Sequence, residues 1–227
     1  MSKGIRFADR AEPTEVHVSF RRWRAQIRPE EVPIVHQSDL LSLLADHPMA
    51  SVRAALADNP NLPMTVRSKL KHDPDPDVRA AVAQSPHTSK AVLRQLASDP
   101  DVDVRLAVAS NPNAPPNALS HLATDVETVI AVLVARHPTV TPEVLERLSC
   151  HEAVAVRITV ARHPMTTDHV LRRLADDEAL EVAIAVCLRE VLSDSIMDHL
   201  VHHADADVES LARRAQFRHS VAAQLAE

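Results

Sequence analysis

A leucine recurs every 26 residues through most of this 227-residue chain, and no other feature constrains its fold as strongly. The leucine closes an apolar run at Leu44, Leu70, Leu96, Leu122, Leu148, Leu174 and Leu200. The residue that opens the apolar run before it keeps the same spacing: Val52, Val78, Val104, Ile130, Val156, Val182 and Val208. We number units 1 to 7 by these opening residues. A fixed period of this length indicates a solenoid of stacked units.

Each unit has the pattern of two short helices. In unit 3 a first helix is predicted from Val104, with Asp103 as its N-cap, and it stops before Pro112 because a residue that precedes proline avoids the helical region. After a turn, residues 117–124 place apolar side chains on one helical stripe, which predicts a second helix. Helices this short are unstable alone, so the units must stack. We therefore expect an all-α, right-handed α-solenoid of seven 26-residue repeats.

Composition argues against several kinds of catalytic site. Gly4 is the one glycine, so the chain has no glycine-rich phosphate loop and no strained turn for a nucleophile. Cys150 and Cys187 have no partner at metal-ligand spacing. We expect no catalytic residues, no metal and no cofactor. The chain also has no apolar run of membrane-spanning length and no apolar leader, which predicts a cytoplasmic protein.

Several columns of the repeat resemble a known family. The segments VRAALADNPNLPMTVRSKL (52–70), VRAAVAQSPHTSKAVLRQLASDPD (78–101) and VRLAVASNPNAPPNALSHLATD (104–125) are similar to the leucine-rich repeat variant family, a group of HEAT- and armadillo-like helical repeat proteins. The resemblance covers about residues 40 to 210 and implies a superhelix of short helices. Some members hold an iron–sulfur cluster through cysteines before the repeats, but no cysteine precedes Cys150.

A basic cluster in units 4 and 5 is less well explained by the repeat. The tetrapeptide Ala-Arg-His-Pro occurs twice, 26 residues apart, and more arginines follow each copy. The predicted partner-binding residues are Arg136, His137, Arg147, Arg162, His163, Arg172 and Arg173. Stacking would align equivalent residues into a cationic patch for an acidic protein or peptide, or for a nucleic-acid backbone. The alternative is that these cations complement helix C-termini.

An arginine ladder has two interpretations as well. Arginine follows the opening residue in four units, at Arg53, Arg79, Arg105 and Arg157, and aspartate recurs at Asp73, Asp99, Asp125 and Asp177. The arginines could track phosphates, or they could pair with carboxylates between neighbouring turns, which we favour.

The first 38 residues differ from the array at 39–227. They contain seven of the 25 basic residues and most of the aromatic ones. Arm contacts with a partner are predicted for Phe20, Arg21, Arg22, Trp23 and Arg24. The alternative, which we favour, is an N-terminal cap that covers the open end of the array.

These observations favour a non-enzymatic interaction scaffold that binds a protein or peptide, expected to be acidic, along the solenoid. The second interpretation is a nucleic-acid backbone binder, or a HEAT-like nucleic-acid enzyme, that uses the cationic patch of units 4 and 5. Residues 40–227 weigh against it, because they hold 18 Lys and Arg against 25 Asp and Glu.

Overall fold

The computed structural model describes residues 37–226, with side chains from 39 to 217, and this part of the chain contains fourteen α-helices and no strand. The arm residues predicted between 20 and 24 lie outside the described residues. The first helices of units 1 to 7 are α2 (Ala50–Ala55), α4 (Pro76–Gln84), α6 (Val102–Ser110), α8 (Thr128–Arg136), α10 (Val154–Arg162), α12 (Leu180–Cys187) and α14 (Ala206–Ala226). The second helices are α1 (Gln37–Leu44), which precedes unit 1, and then α3 (Met64–Leu70), α5 (Lys90–Leu96), α7 (Pro116–Leu122), α9 (Pro142–Leu148), α11 (Asp168–Ala175) and α13 (Asp194–Leu200). The prediction of an all-α solenoid is confirmed.

The two periodic columns form the core. The periodic leucine in the last turn of each second helix is buried from Leu70 to Leu200, and the residue that opens each apolar run is fully buried from Val78 to Val208. Leu44 and Val52, at the start of the described array, are half-buried. Each first helix packs on the first helices of its neighbours, and small side chains such as Ala83 allow this close approach. The core is therefore one continuous apolar layer along the stack.

Local sequence sets where the helices begin and end. The carboxylate of Asp101 caps α6 by accepting the N–H groups of Asp103 and Val104, so the N-cap is Asp101 and the prediction of Asp103 was wrong by two residues. At the other end Asn111 is extended, with φ −77° and ψ 119°, as a residue before proline prefers. Aspartate caps the start of α4 and α6, and proline follows the first helices of units 1 to 5, while the apolar columns fix the stacking.

No helix in the described range is both long and apolar enough to cross a bilayer. Within the same residues, no group of three or more His, Cys, Asp or Glu side chains is placed to hold a metal ion.

Candidate functional site

The two predicted arginines at the ends of first helices are exposed and free. Arg136 ends α8 and Arg162 ends α10, and within the described residues neither guanidinium has a hydrogen bond or an ion pair. The two positions are 26 residues apart in adjacent, packed first helices. They form one row, and their charge is available to a partner.

The adjacent histidines are not on the surface. His137 and His163 are 4% and 8% exposed. The Nδ1 atom of each ring accepts the backbone N–H of the residue two positions later. His137 accepts from Thr139 and His163 accepts from Met165, both at 3.2 Å. This leaves Nε2 to donate, and His137 Nε2 lies 2.8 Å from the carbonyl of Asn111 in the preceding unit. The His137 ring therefore joins neighbouring units, and both rings are too covered for a partner on the surface to reach them.

Arg147, Arg172 and Arg173 lie on second helices and bind other units. Arg147 Nη2 donates to the carbonyl of Ser120 at 2.6 Å, and Arg173 makes the equivalent bond to Glu146 at 3.1 Å. Arg172 donates to Ser195 Oγ at 2.5 Å in the following unit. Although their side chains are exposed, part of their hydrogen-bonding capacity is used between units.

The predicted single patch is therefore two separate rows. Arg136 and Arg162 lie at the turn that leads into the second helix, whereas Arg147 and Arg173 lie near the end of that helix. The two rows therefore lie on different elements of each unit, one where the first helix ends and one near the end of the second helix. A partner that contacts the first row approaches the ends of the first helices.

The arginine ladder is an internal feature of the fold, as the pairing interpretation predicted. Arg79 donates to both carboxylate oxygens of Asp99 at 2.8 Å, and also to the carbonyl of Asp73 at 2.8 Å. The same bidentate pair forms at Arg53–Asp73, Arg105–Asp125 and Arg157–Asp177. The side chains of Arg79 and Asp99 are 13% and 6% exposed. The ladder is thus occupied and largely covered, and it does not offer its charge to phosphates.

The electrostatics of these carboxylates follow from their partners. Burial acts to raise the pKa of Asp99, but the hydrogen bonds from Arg79 and from the N–H of Asp101 outweigh it, so the pKa lies below its usual value. The pKa values of Asp73 and Asp125 are lowered in the same way. These aspartates are ionised at neutral pH and serve stability.

Histidine replaces aspartate where the ladder lacks its arginine. Units 4 and 6 have Ala131 and Ala183 at the arginine position, and twenty residues later they have His151 and His203. The Nδ1 atoms of these rings accept the N–H groups of Ala153 and Asp205 at 3.0 Å, which is the bond that Asp99 Oδ1 makes to Asp101. A neutral acceptor needs no counter-charge, so these histidines also have a structural role.

A surface that the sequence analysis did not single out runs along the first helices. Helical positions i, i+3, i+4 and i+7 share one side, and in units 2 and 3 these residues line a common cleft of about 500 Å³. We call these positions the first-helix face. Its residues in units 2 to 5 are Asp77, Ala80, Ala81, Gln84; Asp103, Leu106, Ala107, Ser110; Val129, Val132, Leu133, Arg136; and Ala155, Ile158, Thr159, Arg162.

The character of the first-helix face changes along the array. Units 2 and 3 begin the face with the exposed carboxylates of Asp77 and Asp103. Units 4 and 5 have half-buried Val132, Leu133 and Ile158 in the middle of the face and the free arginines at its end. The periodicity contained this signal, since the four positions repeat at the 26-residue spacing. Sequence alone could not separate half-exposed apolar residues from the core.

Comparisons with known proteins agree with this architecture. The model of the leucine-rich repeat variant family matches residues 76–101 and 102–127. A solved structure described as a leucine-rich repeat variant with a novel repetitive protein structural motif is similar, with a TM-score of 0.63 and 24% identity over 88% of this chain and 82% of that chain. No curated protein matches the chain. The resemblance seen in the repeats is confirmed at 76–127, and the structural likeness extends the fold over most of the array.

Proposed function

We propose that this chain, an α-solenoid with leucine-rich repeat variant units at 76–127, is a non-enzymatic scaffold that binds a protein or peptide along its first-helix face. The observation that supports this function is the row of free arginines, Arg136 and Arg162, beside half-buried apolar side chains on adjacent helices. Apolar area supplies affinity for a polypeptide, and the two cations favour an acidic one.

The same face disfavours a nucleic-acid backbone as the ligand. Asp77 and Asp103 are exposed at the first position of the face in units 2 and 3, and Glu181 is exposed at the equivalent position of unit 6. A backbone that followed the array would meet these carboxylates along with the arginines, and its phosphates would be repelled. A polypeptide can match both signs of charge.

The experiment compares two pairs of arginines that differ in their environment. The double variant R136Q/R162Q removes the free row, and R147Q/R173Q removes the pair that binds carbonyls between second helices. We place a photo-crosslinking amino acid at Val129, which is 61% exposed on the face, and capture partners from lysate with and without nuclease treatment. A crosslinked protein should be lost in R136Q/R162Q and kept in R147Q/R173Q. Equal capture by all three proteins, or capture that nuclease abolishes, would contradict the proposal.

A further inference from the structure

The turn of unit 6 differs from the turns before it. In units 1 to 5 the backbone carbonyl of the residue before proline accepts the N–H of the residue three positions later. In unit 5, for example, the carbonyl of His163 accepts the N–H of Thr166 at 3.1 Å. Unit 6 has Arg189 and Glu190 where unit 5 has His163 and Pro164, and the described structure has no bond between the N–H of Leu192 and the carbonyl of Arg189. In this open turn Leu192 is only half-buried, whereas the equivalent residues of units 1 to 5 are buried. Val191, at a position that is exposed in every unit, is 77% exposed and apolar.

A cleft of about 800 Å³ lies where this turn faces unit 5. Its apolar wall includes Leu171, Leu188 and Val191. Leu188 directly follows α12, at the position where units 4 and 5 have the exposed Arg136 and Arg162. It is 53% exposed, so an apolar side chain takes the place of an exposed cation. Two large apolar side chains are thus uncovered around one concave surface, which is a feature of binding sites.

The polar lining of the cleft contains donors without acceptors. Arg189 is anchored by Nη1, which donates to the carbonyls of Ala161 and His163 at 2.6 and 2.8 Å. Its Nε and the hydroxyl of Ser193 are covered and have no hydrogen-bond partner among the described residues. Arg162, on the opposite unit, is the free arginine of the first-helix face. The exposed donor in the lining that has no acceptor is therefore Arg162, and an oxygen acceptor in the cleft would pair with it.

Charge distinguishes between the ligands that offer oxygen acceptors. The lining includes the carboxylates of Asp168 and Glu190 as well as the two guanidinium groups, so its formal charge is balanced. A polyanion would face two carboxylates, whereas a single carboxylate next to an apolar side chain matches one arginine and the apolar wall. Arginine binds carboxylates with well-defined geometry, which favours this arrangement.

We propose that the cleft between units 5 and 6 is a specificity pocket for a peptide segment in which an apolar side chain neighbours a carboxylate. This inference rests on the proposed function, because it assumes that the partner is a polypeptide. The apolar side chain packs against Leu171, Leu188 and Val191, and the carboxylate binds the free guanidinium of Arg162. The pocket thereby fixes one end of a partner that extends along the first-helix face.

The test is a selection from a phage-displayed library of random peptides on the full chain. Selected peptides are expected to place Asp or Glu beside a large apolar residue, and changing that acid to its amide should weaken binding by about tenfold or more. Val191→Asp should weaken binding by at least as much, because a carboxylate would enter the apolar wall. Val126→Asp is the matched control, since Val126 is 89% exposed in the turn before unit 4 and does not line the cleft.

A fourth protein separates this pocket from the proposed function. Val129→Asp changes the first-helix face and leaves the cleft intact. If selected peptides bind V191D as tightly as the unchanged protein but lose affinity for V129D, the face binds peptides and the pocket is refuted. If no peptide is enriched, or if neither variant weakens binding, the pocket and a peptide-binding face are both refuted. Thermal unfolding of V191D should match that of V126D, because both valines are exposed.

Discussion

At the scale of single residues, the array maintains one turn hydrogen bond with two different acceptors. Asp99 accepts the turn N–H as a carboxylate and needs Arg79 to compensate its buried charge. His151 accepts the same N–H through a neutral nitrogen, and the arginine position of its neighbour is Ala131. Because a carboxylate buried without a counter-charge is costly, the residue at one position depends on the residue twenty before it.

This dependence predicts a coupling between Arg79 and Asp99. Arg79→Ala leaves a carboxylate that is 6% exposed without its partner and should cost about 1–3 kcal/mol of unfolding free energy. The double variant R79A/D99H reproduces the pair found in units 4 and 6 and should be more stable than R79A. Urea unfolding of the two single variants and the double variant measures the coupling. Strict additivity would show that the histidine and aspartate turns are independent of the arginine.

At the scale of helices, the second helix and the end of the first helix hold neighbouring units together through side chains that bind backbone carbonyls. Asn111 donates to the carbonyls of Ala83 and Ser85 at 2.6 and 3.1 Å. His137 and His163 occupy the same position in the next two units, and His137 Nε2 binds the carbonyl of Asn111 in the preceding unit. The position therefore accepts any residue with one acceptor for its own turn and one donor for the neighbouring unit.

This joint makes stability depend on pH through His163. Burial lowers the pKa of this ring, although its bond to the carbonyl of His137 acts in the opposite direction. As pH falls below the unfolded value of about 6.5, the unfolded chain binds the proton first, so the folded state loses stability. His163→Asn places the residue of unit 3 in unit 5 and should reduce this loss between about pH 6.5 and 5.

Urea midpoints followed by circular dichroism at the two pH values provide the measurement. His72→Asn is the control, because His72 is exposed and outside the joint. It should retain the pH dependence of the unchanged protein. A midpoint for H163N that falls with pH as steeply as that of H72N would assign the effect to other groups.

The sequence predicts the helices better than it predicts the site. The leucine column lies in the last turn of each second helix and is buried from Leu70 to Leu200, because a residue that recurs at a fixed period occupies the same place in each stacked unit. The site residues were less predictable, because Arg136 and His137 are adjacent in sequence but have opposite environments, one exposed and one 4% exposed. Their environments depend on how the neighbouring unit packs, which composition does not reveal. The cleft beside Arg189 was not predicted, since it arises from a turn that opens where proline is absent.

At the scale of the whole molecule, a stack of units has contacts between neighbours and few others. First helices pack on adjacent first helices, and the core is a layer that runs along the array. The stability of such a stack is approximately a sum of unit and interface contributions, so its two ends can open independently. A buried side chain near one end therefore reports on that end.

Cys187 provides such a reporter for unit 6. Its thiol is 1% exposed, and burial raises its pKa to about 11, so a thiol reagent should react with it only when unit 6 opens. Cys150 is exposed and is replaced by serine in this experiment.

Two deletions of a buried leucine test whether the ends open independently. Leu200→Ala removes a fully buried side chain from α13, beside the last described units, and Leu70→Ala makes the same deletion in α3. Each deletion should cost about 2–5 kcal/mol of local packing. L200A should accelerate labelling of Cys187 strongly, whereas L70A should leave the rate nearly unchanged, because four units separate α3 from Cys187 and opening near α3 need not reach it. Equal acceleration by both variants would show that the solenoid opens as one cooperative body.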